Sequence, residues 1–165
     1  MILLPSKEYD IHIGMLVSQM NHTRDVTLRI VKSLTPKELD FYVDDKSNSI
    51  GMLLFHIAGS EFYYQRPLFY DRLINAQEEE RHKDAAPEYM NTRKIHSNDL
   101  EYYLSELYEV RQHTLENLKN YDDNWVFTRN QHIPILNNYY MIKHFVDDEI
   151  SHLGQIKWIM KRCQI

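Results

Sequence analysis

The sequence predicts an all-α protein, a four-helix bundle, and three observations carry that prediction. Four segments place apolar residues at three- and four-residue steps, the spacing that lines one face of a helix. No segment alternates convincingly with a period of two, as a half-buried strand would. Only four glycines and five prolines punctuate the 165 residues, too little for the turns of a many-stranded sheet. A chain of this length fits one domain, residues 1–165, with a core of useful size.

The first helix is expected from about Tyr9 to Leu34, where Ile13, Leu16, Val17, Met20, Thr27, Val31 and Leu34 share a face. Thr35-Pro36 ends it, because proline disfavours helical geometry in the residue before it; a short helical turn from Pro36 to Phe41 follows. The second helix opens after Ser47-Asn48-Ser49, all good N-cap types, and is expected to reach Asn75. Its apolar residues, Ile50, Met52 to Phe55, Ile57, Ala58 and Phe62, surround the axis almost completely, which marks a buried helix. From Ala76 to His96 the chain is charged and irregular, with EEERHKD and Pro87, and reads as a connection with room for a short helix. The third helix, Asn98 to Asn120, carries Leu100, Leu104, Leu107, Leu115 and Leu118 on one stripe. After a loop with Pro134, the fourth runs from Asn137 to Arg162 and aligns Ile142, Phe145, Val146, Leu153, Ile156 and Met160. Four helices joined by longer connections suit a bundle.

Composition excludes several function classes. The net charge of −5 and the lack of a basic stripe argue against nucleic-acid binding. No run of about 20 apolar residues is present, so no membrane span is expected. The MILLP start is too short for a secretory signal, and the single cysteine, Cys163, allows no intramolecular disulfide. A cytoplasmic, reducing compartment is the expected location. Twelve tyrosines suit half-buried positions with a wet hydroxyl, such as a cleft or an interface.

Nine histidines invite a metal hypothesis. A carboxylate four residues before a histidine occurs four times, at Glu8/His12, Glu78/His82, Glu109/His113 and Asp148/His152. Such pairs are often plain surface contacts, and helical position separates them. Glu109 and His113 lie opposite the leucine stripe, Glu78 and His82 fall in the charged connection, and Glu8 and His12 sit at a fraying helix start. Asp148 and His152 flank the apolar stripe of the last helix, on the side where a neighbour packs, with His144 and Gln155 further round. An imidazole and a carboxylate so placed can share an ion. His56 lies on the all-apolar second helix beside Met52, Ser60 and Tyr63, where its ring needs a hydrogen-bond partner or a ligand role. Glu149 falls inside the apolar stripe and needs a cation or a donor: it either orients a ligating histidine from behind or pairs with an arginine.

Two stretches carry a family resemblance. SIGMLLFHIAGSEFYY, from Ser49 to Tyr64, resembles the second helix of the DinB/YfiT-like superfamily, and HFVDDEISHLGQI, from His144 to Ile156, resembles its last helix. The resemblance spans nearly the whole chain. It implies a four-helix bundle with down-up-up-down topology, a homodimer, and a divalent metal held by His56, Asp148 and His152. Many members have histidine where Asp148 stands, although relatives resembling mycothiol-dependent maleylpyruvate isomerases carry a carboxylate there. Leu153 occupies the place of the family's usual arginine. Three protein ligands leave a position open for a water or a thiolate. Two imidazoles and a carboxylate suit zinc, nickel, manganese or iron(II) alike.

The function expected from this resemblance is a metal-dependent transferase that uses a low-molecular-weight thiol and a small-molecule substrate, or a metal-dependent hydrolase. Ser60, Tyr63 and Gln155 would line the pocket, and His144 would accept a proton. The alternative is a non-enzymatic metal-binding or stress-associated dimer. A di-iron bundle has one Glu-x-x-His element at Glu149 and His152, but Leu53 stands where a second glutamate, before His56, is needed.

Overall fold

In the computed structural model, which describes residues 3–85 and 95–163, four long helices pack side by side. They are α1 (Ile11–Val31), α3 (Ile50–Phe69), α5 (Leu100–Leu118) and α7 (Asn138–Cys163). Short helices occupy the connections: α2 (Pro36–Leu39), α4 (Ala76–His82), which runs into a 3₁₀ turn at Lys83–Ala85, and α6 (Asp123–Phe127). No strand occurs among the described residues; Arg129 and Asn137 form an isolated bridge. Among the described residues no helix is long and apolar enough to cross a membrane.

Most helix starts follow from side chains that satisfy otherwise unpaired N–H groups. Ser49 accepts from Met52 N, Asp99 from Tyr102 N, and Asp122 from Trp125 N. Thr35 with Glu38, and Asn75 with Glu78, form reciprocal capping boxes. At the start of α1 the cap comes from elsewhere in the chain: the Asp123 carboxylate accepts from His12 N at 3.0 Å and Ile13 N at 3.1 Å.

One boundary differs from expectation by more than three residues. The second long helix stops at Phe69 rather than Asn75. Pro67 in its last turn lacks an N–H, Asp71 takes a left-handed φ of 52°, and the Asn75–Glu78 capping box opens a new helix. The expected connection from Ala76 to His96 therefore begins with helix; residues 86–94, including Pro87, lie outside the described residues.

Pairings between the long helices define the topology. Gly51 meets Tyr103, Glu61 meets Arg111 and Gln65 meets Thr114, so α3 and α5 run parallel. His56 faces His152 and Tyr64 faces His144, so α3 and α7 are antiparallel. Ile13 to Met20 pack with Met141 to Val146, and Arg24 pairs with Glu149, so α1 and α7 are parallel. Arg24 donates to the Leu107 carbonyl and Arg111 to that of Met20, which makes α1 and α5 antiparallel. The order is down-up-up-down.

The apolar core divides in two. One cluster centres on Val31, Leu53, Leu54, Ile57, Tyr103, Leu107 and Ile156; the other on Ile13, Leu16, Met20, Met141, Ile142 and Phe145. At mid-bundle lie Arg24, Arg111, Glu61 and Glu149, all buried. Arg111 Nε donates to Glu61 at 3.0 Å, Arg24 Nε donates to Glu149 at 2.9 Å, and Arg111 Nη2 reaches Glu149 at 3.4 Å. Two cations and two anions neutralise one another there, as burial requires.

Candidate metal centre

The helices α3 and α7 are apolar enough toward the core to pack closely, and their shared edge holds the three residues of interest. His56 projects from the middle of α3, buried to 6% exposure. Asp148 and His152, one turn apart on α7, come at it from the facing helix. His56 Nε2 lies 3.5 Å from Asp148 Oδ2, and His152 Nε2 lies 3.3 Å from Asp148 Oδ1. The imidazole centroids are 4.7 Å apart with the rings at 76°. One ligand atom from each residue falls within 4.8 Å of the others.

The donor set fits a divalent ion. A tetrahedral ion with bonds of about 2.1 Å holds its ligand atoms about 3.4 Å apart, close to the two spacings found here. The His56 tautomer also fits. Its Nδ1 lies 2.7 Å from the Ala85 carbonyl, which can only accept, so Nδ1 carries a hydrogen and Nε2 is the nitrogen left to face Asp148 and an ion. His152 Nδ1 is buried and makes no hydrogen bond among the described residues.

Charge in the cluster is already poised for a cation. Burial raises the Asp148 pKa, but hydrogen bonds from His152 and His56, with their charge, outweigh it and hold the carboxyl well below its usual range. Burial lowers the His56 pKa, yet the Asp148 hydrogen bond, the Ala85 carbonyl and the Asp148 charge together carry it above the ordinary value. A metal ion at His56 Nε2 would compete with the proton that bonds Asp148.

The other residues singled out from the sequence are distributed around this edge. His144, one turn before Asp148, is half-buried with its ring 5.2 Å from Tyr64 and 6.5 Å from Tyr140. It lies outside the ligand group. Ser60 and Tyr63 are half-buried on α3, Tyr63 edge-on to Phe62 at 6.4 Å. Gln155 is exposed and lines a cavity of about 520 Å³ with Asn48, Ser151, Gly154 and Trp158, along the flank of α7. The Glu149 oxygens meet Arg24 and Arg111, the arginine pairing rather than a histidine contact. Of the remaining carboxylate–histidine pairs, Glu109 and His113 are exposed. His12 bonds Asp123 at 2.9 Å rather than Glu8. His82, expected in a charged loop, is buried and stacks on Phe62 at 3.8 Å.

Sequence reasoning missed two contributors. The Ala85 carbonyl leaves no mark in residue type. Tyr64 does: it lies eight residues after His56 on the same helix face, and its phenol is pushed up by burial, then by Tyr140 and Asp148, so it stays neutral and can donate.

An all-α bundle with a His-Asp-His group on the edge between antiparallel helices defines a class of candidate metalloproteins. Within that class the comparison is specific: the mycothiol-S-transferase family model matches residues 15–162, and the chain belongs to that family, within the DinB-like superfamily. No curated protein matches the chain.

Proposed function

We propose that this protein is a metal-dependent transferase that joins a low-molecular-weight thiol to a small electrophilic substrate. One observation carries the reading: in a chain of the mycothiol-S-transferase family, His56, Asp148 and His152 gather three donor atoms within 4.8 Å. Those residues would hold the ion, with both imidazoles binding as neutral rings through Nε2 and Asp148 supplying the negative charge. Bound there, a divalent ion supplies Lewis acidity that makes a thiol ionise near neutral pH.

The chain's own groups divide the remaining work. Ala85 keeps the His56 hydrogen on Nδ1. His144, held between the rings of Tyr64 and Tyr140, is the acceptor for the thiol proton through a ring nitrogen. The neutral Tyr64 hydroxyl donates a hydrogen bond toward the substrate. Ser60 and Tyr63 on α3 line the approach, and Gln155 borders it from α7. The same reading includes a homodimer, for which Tyr140, Ile150 and Trp158 offer exposed apolar surface on α7.

The test is elemental analysis of protein purified without a histidine tag, beside single variants. About one zinc, nickel, manganese or iron per chain is expected. His56→Ala and His152→Ala should each fall well below that while the exposed His113→Ala retains it. Consumption of a low-molecular-weight thiol with an electrophile should vanish in His152→Ala. Ester or amide hydrolysis without thiol would favour the hydrolase reading. A folded wild-type chain holding far less than one ion, before and after incubation with metal, would leave a non-enzymatic bundle.

A further inference from the structure

The connection after α3, rather than the bundle core, holds the outer nitrogen of His56. The 3₁₀ turn Lys83–Ala85 is three residues long and has little internal restraint of its own. It is seated by α3. Ala85 is buried at 2% exposure, and a Cβ built on Gly59 would stand only 2.2 Å from the Ala85 Cβ. The next nearest atom to that Cβ is Ala85 Cα at 3.6 Å, an ordinary contact. Among the described residues, Gly59 therefore permits one close approach, to one atom. Three residues earlier on α3, His56 Nδ1 donates to the Ala85 carbonyl at 2.7 Å. His82, just before the turn, stacks on Phe62 at 3.8 Å and fastens the segment to the same helix.

We propose that the α4–3₁₀ segment is a positioning element for the metal centre: seated on Gly59, it uses the Ala85 carbonyl to set the tautomer and ring orientation of His56. A histidine ligand whose outer nitrogen loses its acceptor turns more freely and divides between tautomers, and loss of such a partner typically lowers metal affinity about 10–100-fold. Gly59→Ala forces the turn away and breaks this contact without touching a ligand. Ala85→Gly removes the obstructing Cβ while leaving the carbonyl in place. The two substitutions should therefore compensate.

The inference rests on the proposed metal site for its affinity readout, but its second readout needs no metal. Zinc affinity by competition with a chelator should fall about 10–100-fold in Gly59→Ala, change little in Ala85→Gly, and recover in the double variant. Nitrogen NMR of the metal-free wild type, with the ring neutral, should show His56 with hydrogen on Nδ1. Gly59→Ala should shift that population and the double variant restore it. A Gly59→Ala protein that folds and binds zinc as the wild type does overturns the proposal, as does a folded double variant that fails to recover. A wild-type His56 found with hydrogen on Nε2 overturns it whatever the variants do. If the wild type binds none of zinc, nickel, manganese and iron yet the tautomer follows this pattern, the metal-dependent function falls while the Ala85 carbonyl still sets the His56 tautomer.

Discussion

At the scale of single residues, the strongest constraint is the buried charge at mid-bundle. Glu61 is 1% exposed and Glu149 0%, and each survives there because arginine supplies both charge and directed N–H groups. Burial pushes the Glu61 pKa up, but Arg111 and Arg24 outweigh it and keep the carboxylate ionised. Removing one partner leaves the other charge buried and unpaired. Glu61→Ala should therefore cost about 3–5 kcal/mol of folding free energy, read as a lower urea midpoint, with Arg111→Met similar in size. The pair of changes together should cost less than their sum, because the second removes the charge that the first orphaned. Glu149 was legible from sequence as a carboxylate inside an apolar stripe. Which partner it takes was not, since Arg24 lies 125 positions away.

The elements show the same division. Caps and periodicity locate the long helices, because capping and amphipathic spacing are properties of neighbouring residues. The segment after α3 reads as irregular because much of its order comes from contacts back to α3, where His82 stacks on Phe62 and the Ala85 carbonyl meets His56. Glu78 caps α4 and also takes Arg72 at 2.6 Å and Arg66 at 2.8 Å. The Arg72 hydrogen bond pulls its pKa down to about 2, with Asn75 N–H and Arg66 adding to this against burial. A carboxyl more acidic in the folded state than in the unfolded chain contributes stability above the unfolded pKa, and loses it as pH falls through the folded one. Thermal melts should therefore show a loss of stability between about pH 4.3 and 2 that is smaller in Glu78→Gln, which already lacks this charge, while the carboxylates of Asp148 and Glu61 keep their own share.

For the whole molecule, the proposed metal binding would be linked to folding. The candidate ligands come from α3 and α7, which are brought together only by the fold, so an ion that binds the native chain would stabilise it. Zinc at a hundred times its Kd should add about 2.7 kcal/mol, a rise in Tm that a chelator reverses and that is absent in His56→Ala. The sequence by itself determined the four long helices, the all-apolar character of α3, and the short list of histidines and carboxylates worth considering, because these follow from local spacing and residue type. It placed His56, Asp148 and His152 as candidates from helical position and family resemblance. Tertiary structure alone decided that their donor atoms meet, that Glu149 turns to arginines, that His82 is a buried aromatic plug, and that a backbone carbonyl orients His56. Each of those depends on contacts between residues far apart in the chain, and a carbonyl is common to all residues; only the packing of Ala85 against Gly59 distinguishes this one.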